Sequence, residues 1–301
     1  MTAVAGYFRG LSEHLGEQWN RFWFTPRRAD TLAILRIAVG CLALIWQLSF
    51  TPDLIRWFGP TGWLDVTLYR NWVLDPPPQL FSGRLSYLFT TSPQLLWVLH
   101  LSSTLVLLAM TLGVFTRITT LLSLGVVLAY VHRAPFIATY AEMMLAMLLA
   151  YLCLAPCGRS RSLDSMFRLK TPDAPGGWAT VAQRLMQVHL TLAYILIVCT
   201  KIFSVVWWNG DALWWTLVQP SAQLIGHDTF RNEPVLLNLW TYGVLLSEVS
   251  MIVLPWHRWL RPLALVVSAF SWLSVGIATG DFALPLTMIV ANLVFLNADG
   301  E

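Results

Sequence analysis

The stretch from 184 to 206 is long and apolar enough to cross a bilayer, and it is one of several in this chain. A membrane-spanning helix needs about 20 apolar residues. By that template the sequence predicts eight spans: 30–49, 94–113, 116–132, 139–156, 184–206, 235–255, 261–279 and 282–297. Inside lipid every backbone polar group needs an internal partner, so a chain folds there as helices or as a closed barrel. Runs of this length select helices. Charged residues make up only 12% of the 301 residues, against about 25% in soluble domains. The predicted fold class is an all-α, polytopic membrane bundle of about eight transmembrane helices.

Residues 1–29 form a separate element. Tyr7, Leu11, Leu15, Trp19 and Trp23 recur every four residues, with Arg9, Glu13, Glu17 and Arg21 between them. That pattern predicts an amphipathic helix lying in the membrane interface. The domain proper is 30–297. Its segment 50–93, with Trp57, Trp63 and Trp72, is expected to be an ordered cap outside the membrane. No short apolar segment with a cleavage site opens the chain, so no cleaved signal peptide is expected. With the N-terminus inside, twelve basic residues fall in inner segments and five in outer ones. Both termini are therefore expected in the cytoplasm.

Several functions are excluded early. A net charge of +3, with no basic run interleaved with aromatics, argues against nucleic acid. No phosphate-binding loop appears. The six histidines are scattered and lack metal-ligand spacing, so no metal is expected. Cys153 and Cys157 are four apart at the end of a predicted span. They share one helix face and read better as two small packing residues than as a redox or metal pair.

What remains is a set of polar residues inside apolar runs. Lys170 and Lys201 are the only lysines, and Lys201 lies within the fifth predicted span. A lysine at the centre of a membrane helix costs about 2.5–3.5 kcal/mol on insertion scales, so it marks a site or finds a partner. Gln183, Gln187, Thr191, Tyr194 and Lys201 share one helix face. Glu142, at the outer start of the fourth span, is the expected partner of Lys201. His132 and Arg133 precede it. A joint cavity of Lys201, Glu142 and His132 follows as the candidate catalytic group, lined by Tyr194, Gln187, Arg133, His100, Asp211 and Asp281. Glu248 lies deeper and is expected to pair with Arg36 or His189 as a structural buried polar group. A desolvated lysine can serve as a general base or hold an anion.

Three stretches carry a family resemblance. The first is Leu32-Ala33-Ile34-Leu35-Arg36-Ile37-Ala38-Val39-Gly40. The second is His132-Arg133-Ala134-Pro135, then Glu142, then Arg161-Ser162-Leu163-Asp164. The third is Gln187, Tyr194 and Lys201-Ile202, then Trp207 or Trp208, and Gly210. In order and spacing they resemble the horizontally transferred transmembrane (HTTM) domain. Vitamin K-dependent gamma-glutamyl carboxylases share it with many bacterial membrane proteins, including toxin-maturation proteins of the sporulation-delaying type. The resemblance covers about 30–297. It implies a bacterial inner-membrane protein, and a reduced quinone of the menaquinone or vitamin K type as cofactor. It also places Lys201 as the base that deprotonates the quinol. A secreted peptide or a partner protein would be engaged on the outer side, with membrane lipid around the bundle. The carboxylases carry two adjacent lysines where this chain has Thr200-Lys201, and Glu142 stands roughly where one of their functional histidines does. The lysine-to-glycine spacing is also one residue longer here. The 301 residues hold no counterpart of the carboxylases' large extramembrane domain, so base chemistry is the expectation rather than glutamate carboxylation itself.

Two readings stand at this point. In one, Lys201 is a base acting on a quinol, lipid or secreted peptide. In the other, the chain is a non-catalytic factor for maturation, export or immunity, with Lys201 structural or ligand-binding. A transporter ranks below both, because the sequence shows no inverted repeat and no paired broken helices.

Overall fold

The computed structural model describes residues 2–26, 29–63, 86–88, 92–167, 176–219, 224 and 230–296. It is 77% helical, with no strand among the described residues. The first helices are α1 (Thr2–Phe24), α2 (Asp30–Leu48) and α3 (Leu54–Phe58). Next come α4 (Pro93–Leu112), α5 (Thr116–Arg133), α6 (Tyr140–Leu154) and the short α7 (Leu163–Phe167). The second half holds α8 (Gly177–Ile202), α9 (Val205–Trp208), α10 (Ala212–Leu217), α11 (Pro234–Val253), α12 (Arg261–Thr279) and α13 (Ala283–Asn292). Tight 3-10 turns, Leu254–Trp256 and Leu293–Phe295, extend α11 and α13.

Each of the eight predicted stretches coincides with a helix. Five are long and apolar enough to cross a membrane: α2, α4, α8, α11 with its 3-10 turn, and α12. Helices α6 and α13 are shorter apolar helices. α5 carries Thr116, Thr119, Thr120 and Ser123, all buried, which lower its hydropathy. The starts follow local chemistry. Ser92 accepts the amide of Leu95 and Pro93 opens α4. Thr139 and Glu142 form a reciprocal capping box at α6.

Helices α2, α4, α5 and α6 pack into one group, and α8, α11, α12 and α13 into a second. They join where α6 meets α8 and α13, and where α13 meets α2. The two short helices thus sit between the groups, covered by neighbours. The bundle exposes large apolar side chains and buries polar ones within a largely apolar core, unlike the polar surface of a soluble protein. Leu105, Leu246 and Phe270 are each at least 65% exposed, whereas Arg36, Gln47, His100 and Tyr194 are fully buried.

Helix α1 carries exposed Leu11, Leu15 and Trp19; the side chains of Tyr7 and Arg9 lie outside the described residues. Its end docks on α8. Thr180 donates to the Thr25 carbonyl. Arg184 donates to the Phe22 carbonyl and lies 4.4 Å over the Phe22 ring. The segment 50–93 is described at both ends. Trp57 and Trp63 meet edge-to-face at 5.0 Å. Ser86 donates to the Ala129 carbonyl at 2.8 Å, and Leu88 is fully buried. Arg70, Trp72 and Arg84 fall outside the described residues, as do Arg168 and Lys170.

Candidate functional site

The polar face of α8 turns inward along its whole length. Gln183 and Gln187 both donate to the Val294 carbonyl, at 2.9 and 3.1 Å. That carbonyl is free to accept two donors because the helix ends there in a 3-10 turn. Arg184 donates to Gln187 at 2.9 Å. Two turns on, Trp272 donates its indole N–H to the Tyr194 hydroxyl at 3.0 Å. Tyr194 donates to Asn292 Oδ1 at 3.1 Å, and Asn292 Nδ2 donates to Ser268 at 3.0 Å. This closed loop ties α8 to α12 and α13. Tyr194→Phe strands the Trp272 donor and the Asn292 acceptor. It is expected to cost about 1–3 kcal/mol, read by unfolding in mixed detergent micelles.

Lys201 ends the stripe. Its ammonium donates to both carboxylate oxygens of Glu248, at 2.5 and 2.6 Å, and lies 4.1 Å over the Trp207 ring. The Glu248 side chain is 3% exposed and that of Lys201 18%. The pair differs from the expected one, and geometry explains why. Arg184 and Trp256 lie within 5.9 Å and mark a common level at one end of the bundle. Lys201 stands about 26 Å beyond Arg184, and Glu248 about 12 Å before Trp256, at 1.5 Å per residue. Helical side chains lean toward their own N-terminus. On these antiparallel helices the lysine and the glutamate lean toward each other, and they meet between the two backbone levels.

Glu142 is occupied elsewhere. It accepts the Thr139 amide and hydroxyl at 2.7 and 2.6 Å, and the Trp46 indole N–H at 3.0 Å. It is a helix cap, not a partner of Lys201. His132 is half-buried at the end of α5. The expected joint cavity is thus replaced by separate networks. His100 is in one of them: the Tyr130 hydroxyl sits 2.6 Å from its Nδ1, Gln47 donates to its carbonyl at 3.1 Å, and Thr51 sits 3.0 Å from its Nε2. Arg133 is buried over Phe58, donating to the Phe58 carbonyl at 3.4 Å. Asp281 is exposed and accepts the Ala283 amide at 2.8 Å, capping α13. Asp211 is exposed before α10. Neither lines the Lys201 site.

The pairing expected for Glu248 is also corrected. His189 is exposed rather than buried, because it sits about half a turn from Gln187, on the opposite face of α8. It bonds Tyr151 at 2.9 Å. Arg36 is fully buried but serves a third network, donating to the carbonyls of Cys157 and Arg161 at 2.7 Å each. Beside it Asp164 accepts the amides of Phe115 and Thr116 and the Thr116 hydroxyl, at 2.7–2.9 Å. Two non-glycine residues here, Phe115 and Arg161, hold positive φ. Such geometry costs about 1–2 kcal/mol each, so the surrounding bonds must hold it in place. Helix α6 ends at Leu154, so Cys157 lies past it and does not share a helix face with Cys153.

The Lys201–Glu248 pair under Trp207 offers proton chemistry. Asn292, Ser268, Trp272, Gln47 and Tyr130 were not singled out from sequence. Asn292 and Gln47 carry the only legible trace, being amides inside apolar runs. Among the described residues no three His, Cys, Asp or Glu side chains converge as metal ligands. No protein-family model matches the chain, and no curated protein or solved structure matches it.

Proposed function

We propose that this chain is an HTTM-type, eight-span protein of a bacterial inner membrane with both termini cytoplasmic. In this reading α1 lies in the inner interface, and Lys201 and Glu248 act together as an acid–base pair on a lipid-soluble hydroxyl substrate. The observation that carries it is a buried ammonium–carboxylate pair, inside an apolar bundle, with a tryptophan ring over the ammonium. Intramembrane ion pairs of this kind mark functional sites. The pair refines the expected role of the lysine. An ammonium already bound to a carboxylate is not itself a base. Glu248 can take the proton as the substrate O–H bond breaks. The oxyanion then faces the Lys201 ammonium, so charge stays balanced within the site. A reduced quinone fits, since its ring can stack on Trp207 and its hydroxyl supplies the proton.

One observation favours a second reading. Both carboxylate oxygens are bound by the ammonium, which makes the pair a strong clamp between α8 and α11. A non-catalytic maturation, export or immunity factor would need no more. Purified protein given reduced menaquinone and oxygen separates the two. Quinol and oxygen give quinone epoxide and water, detected by mass spectrometry. The base reading expects epoxide from the wild type, lowered about 10²–10⁴-fold in Lys201→Ala and Glu248→Gln. Lys201→Arg keeps the charge that faces the oxyanion and is expected to retain part of the activity. Folded wild-type protein that yields no epoxide would establish the clamp reading in place of quinol chemistry.

A further inference from the structure

A concave site apart from Lys201 lies where α5 begins and α6 ends. It is a cavity of 650 Å³, inside the range of about 300–1,000 Å³ usual for small-molecule sites. Val114, Ile118, Leu152, Ala155, Pro156 and Leu163 give it apolar walls. Arg117 and Arg159 also line it, and both are exposed. Among the described residues neither guanidinium has a hydrogen bond or an ion pair. The one carboxylate in the lining, Asp164, already accepts three donors from the start of α5. An occupant therefore meets two uncommitted positive charges beside an apolar recess. Phe115, 72% exposed, stands at this cavity with its backbone fixed in the left-handed region by Asp164. Exposed Leu112, Leu154 and Met166 nearby continue the lipid-facing surface up to the opening.

We propose that this cavity holds an anionic phospholipid of the inner leaflet, with an acyl chain against the apolar walls and the phosphate between Arg117 and Arg159. Soluble anions match the arginines but leave the walls empty. Zwitterionic lipids match the walls but bring a cation to the arginines. The proposal rests on the membrane reading and is independent of any chemistry at Lys201.

Native mass spectrometry of the purified full chain in detergent tests it, with dioleoyl phosphatidylglycerol or dioleoyl phosphatidylcholine added at equal concentration. The wild type is expected to retain phosphatidylglycerol about tenfold more than phosphatidylcholine, as two cationic contacts to an anionic headgroup imply. The double variant Arg117→Gln, Arg159→Gln replaces two exposed side chains and is expected to lose that preference with an unchanged melting transition. Glycerol phosphate, the headgroup without chains, is expected not to compete. Equal retention of the two lipids by the wild type overturns the proposal, as does full preference in the double variant. Competition by glycerol phosphate at matched concentration would assign the arginines to a soluble anion and overturn it as well.

Discussion

Glu248→Ala is expected to destabilise the bundle by about 3–5 kcal/mol, the usual effect of removing one partner of a buried ion pair. The variant leaves the Lys201 ammonium in an apolar setting with only the Trp207 ring as a polar contact. Lys201→Ala should cost a similar amount, since the Glu248 side chain is 97% buried and has no other ion-pair partner among the described residues. The paired variant Lys201→Met, Glu248→Leu should recover most of the loss. Apolar side chains of similar volume commonly replace a buried pair at no net cost, or with a gain of about 1–4 kcal/mol. Unfolding in mixed micelles of a mild detergent and dodecyl sulfate, followed by circular dichroism, measures all four proteins. Single variants within about 1 kcal/mol of the wild type would mean that water reaches the pair freely, which defeats the buried-site reading. The paired variant also separates stability from chemistry. It should fold like the wild type while lacking any proton acceptor at this position.

How much of this was legible in the sequence depends on what each feature rests on. The helices rest on length and apolar density, and those are local properties. The inward stripe from Gln183 to Lys201 rests on helical period, again local, and every member but Thr191 bonds a residue on another element. Thr191 bonds back to the Gln187 carbonyl of its own helix. The partners rest on long-range packing. Glu142 shares the expected outer level with Lys201, yet a glutamate three residues after a threonine cap is drawn to that cap. The local sequence Thr139-Tyr140-Ala141-Glu142 already contained this competing fate. Glu248 lies deeper than Lys201 by backbone level, and the lean and reach of two long side chains close that gap. The helix boundary matters too: α8 ends at Ile202, so Lys201 stands in its last turn. Ser268 and Trp272 had no trace, since a serine and a tryptophan in an apolar helix are ordinary. Gly210 could be read only in part. Its φ of 79° turns the chain into α10, and a Cβ there would meet Asn238 at 2.6 Å, a neighbour that sequence spacing does not reveal.

The second large effect is expected at Gly113, which ends α4 over the Arg36 network. Its φ is 77°, where an L side chain is strained by about 1–2 kcal/mol. A Cβ there would also lie 2.4 Å from the Ser162 Cβ and 3.0 Å from the guanidinium carbon of Arg36. Neither neighbour can withdraw cheaply. Ser162 donates to the Gly158 carbonyl at 2.8 Å and accepts the Ser165 amide at 2.9 Å. Arg36 is held by two carbonyls, and the Gly113 carbonyl itself accepts the Asp164 amide at 3.0 Å. Moving any of them loosens the contact that joins α2, the α4–α5 turn and the segment after α6. Gly113→Ala is therefore expected to cost more than about 3 kcal/mol, as strain and overpacking add. Gly125 supplies the control. It lies within α5 with nothing near its Cβ position, so Gly125→Ala should be neutral or stabilising by up to about 1 kcal/mol. The same micelle unfolding measurement compares the two. If Gly113→Ala and Gly125→Ala shift stability alike, the Arg36 network is not a rigid unit, and the geometry assigned to Phe115 and Asp164 fails with it.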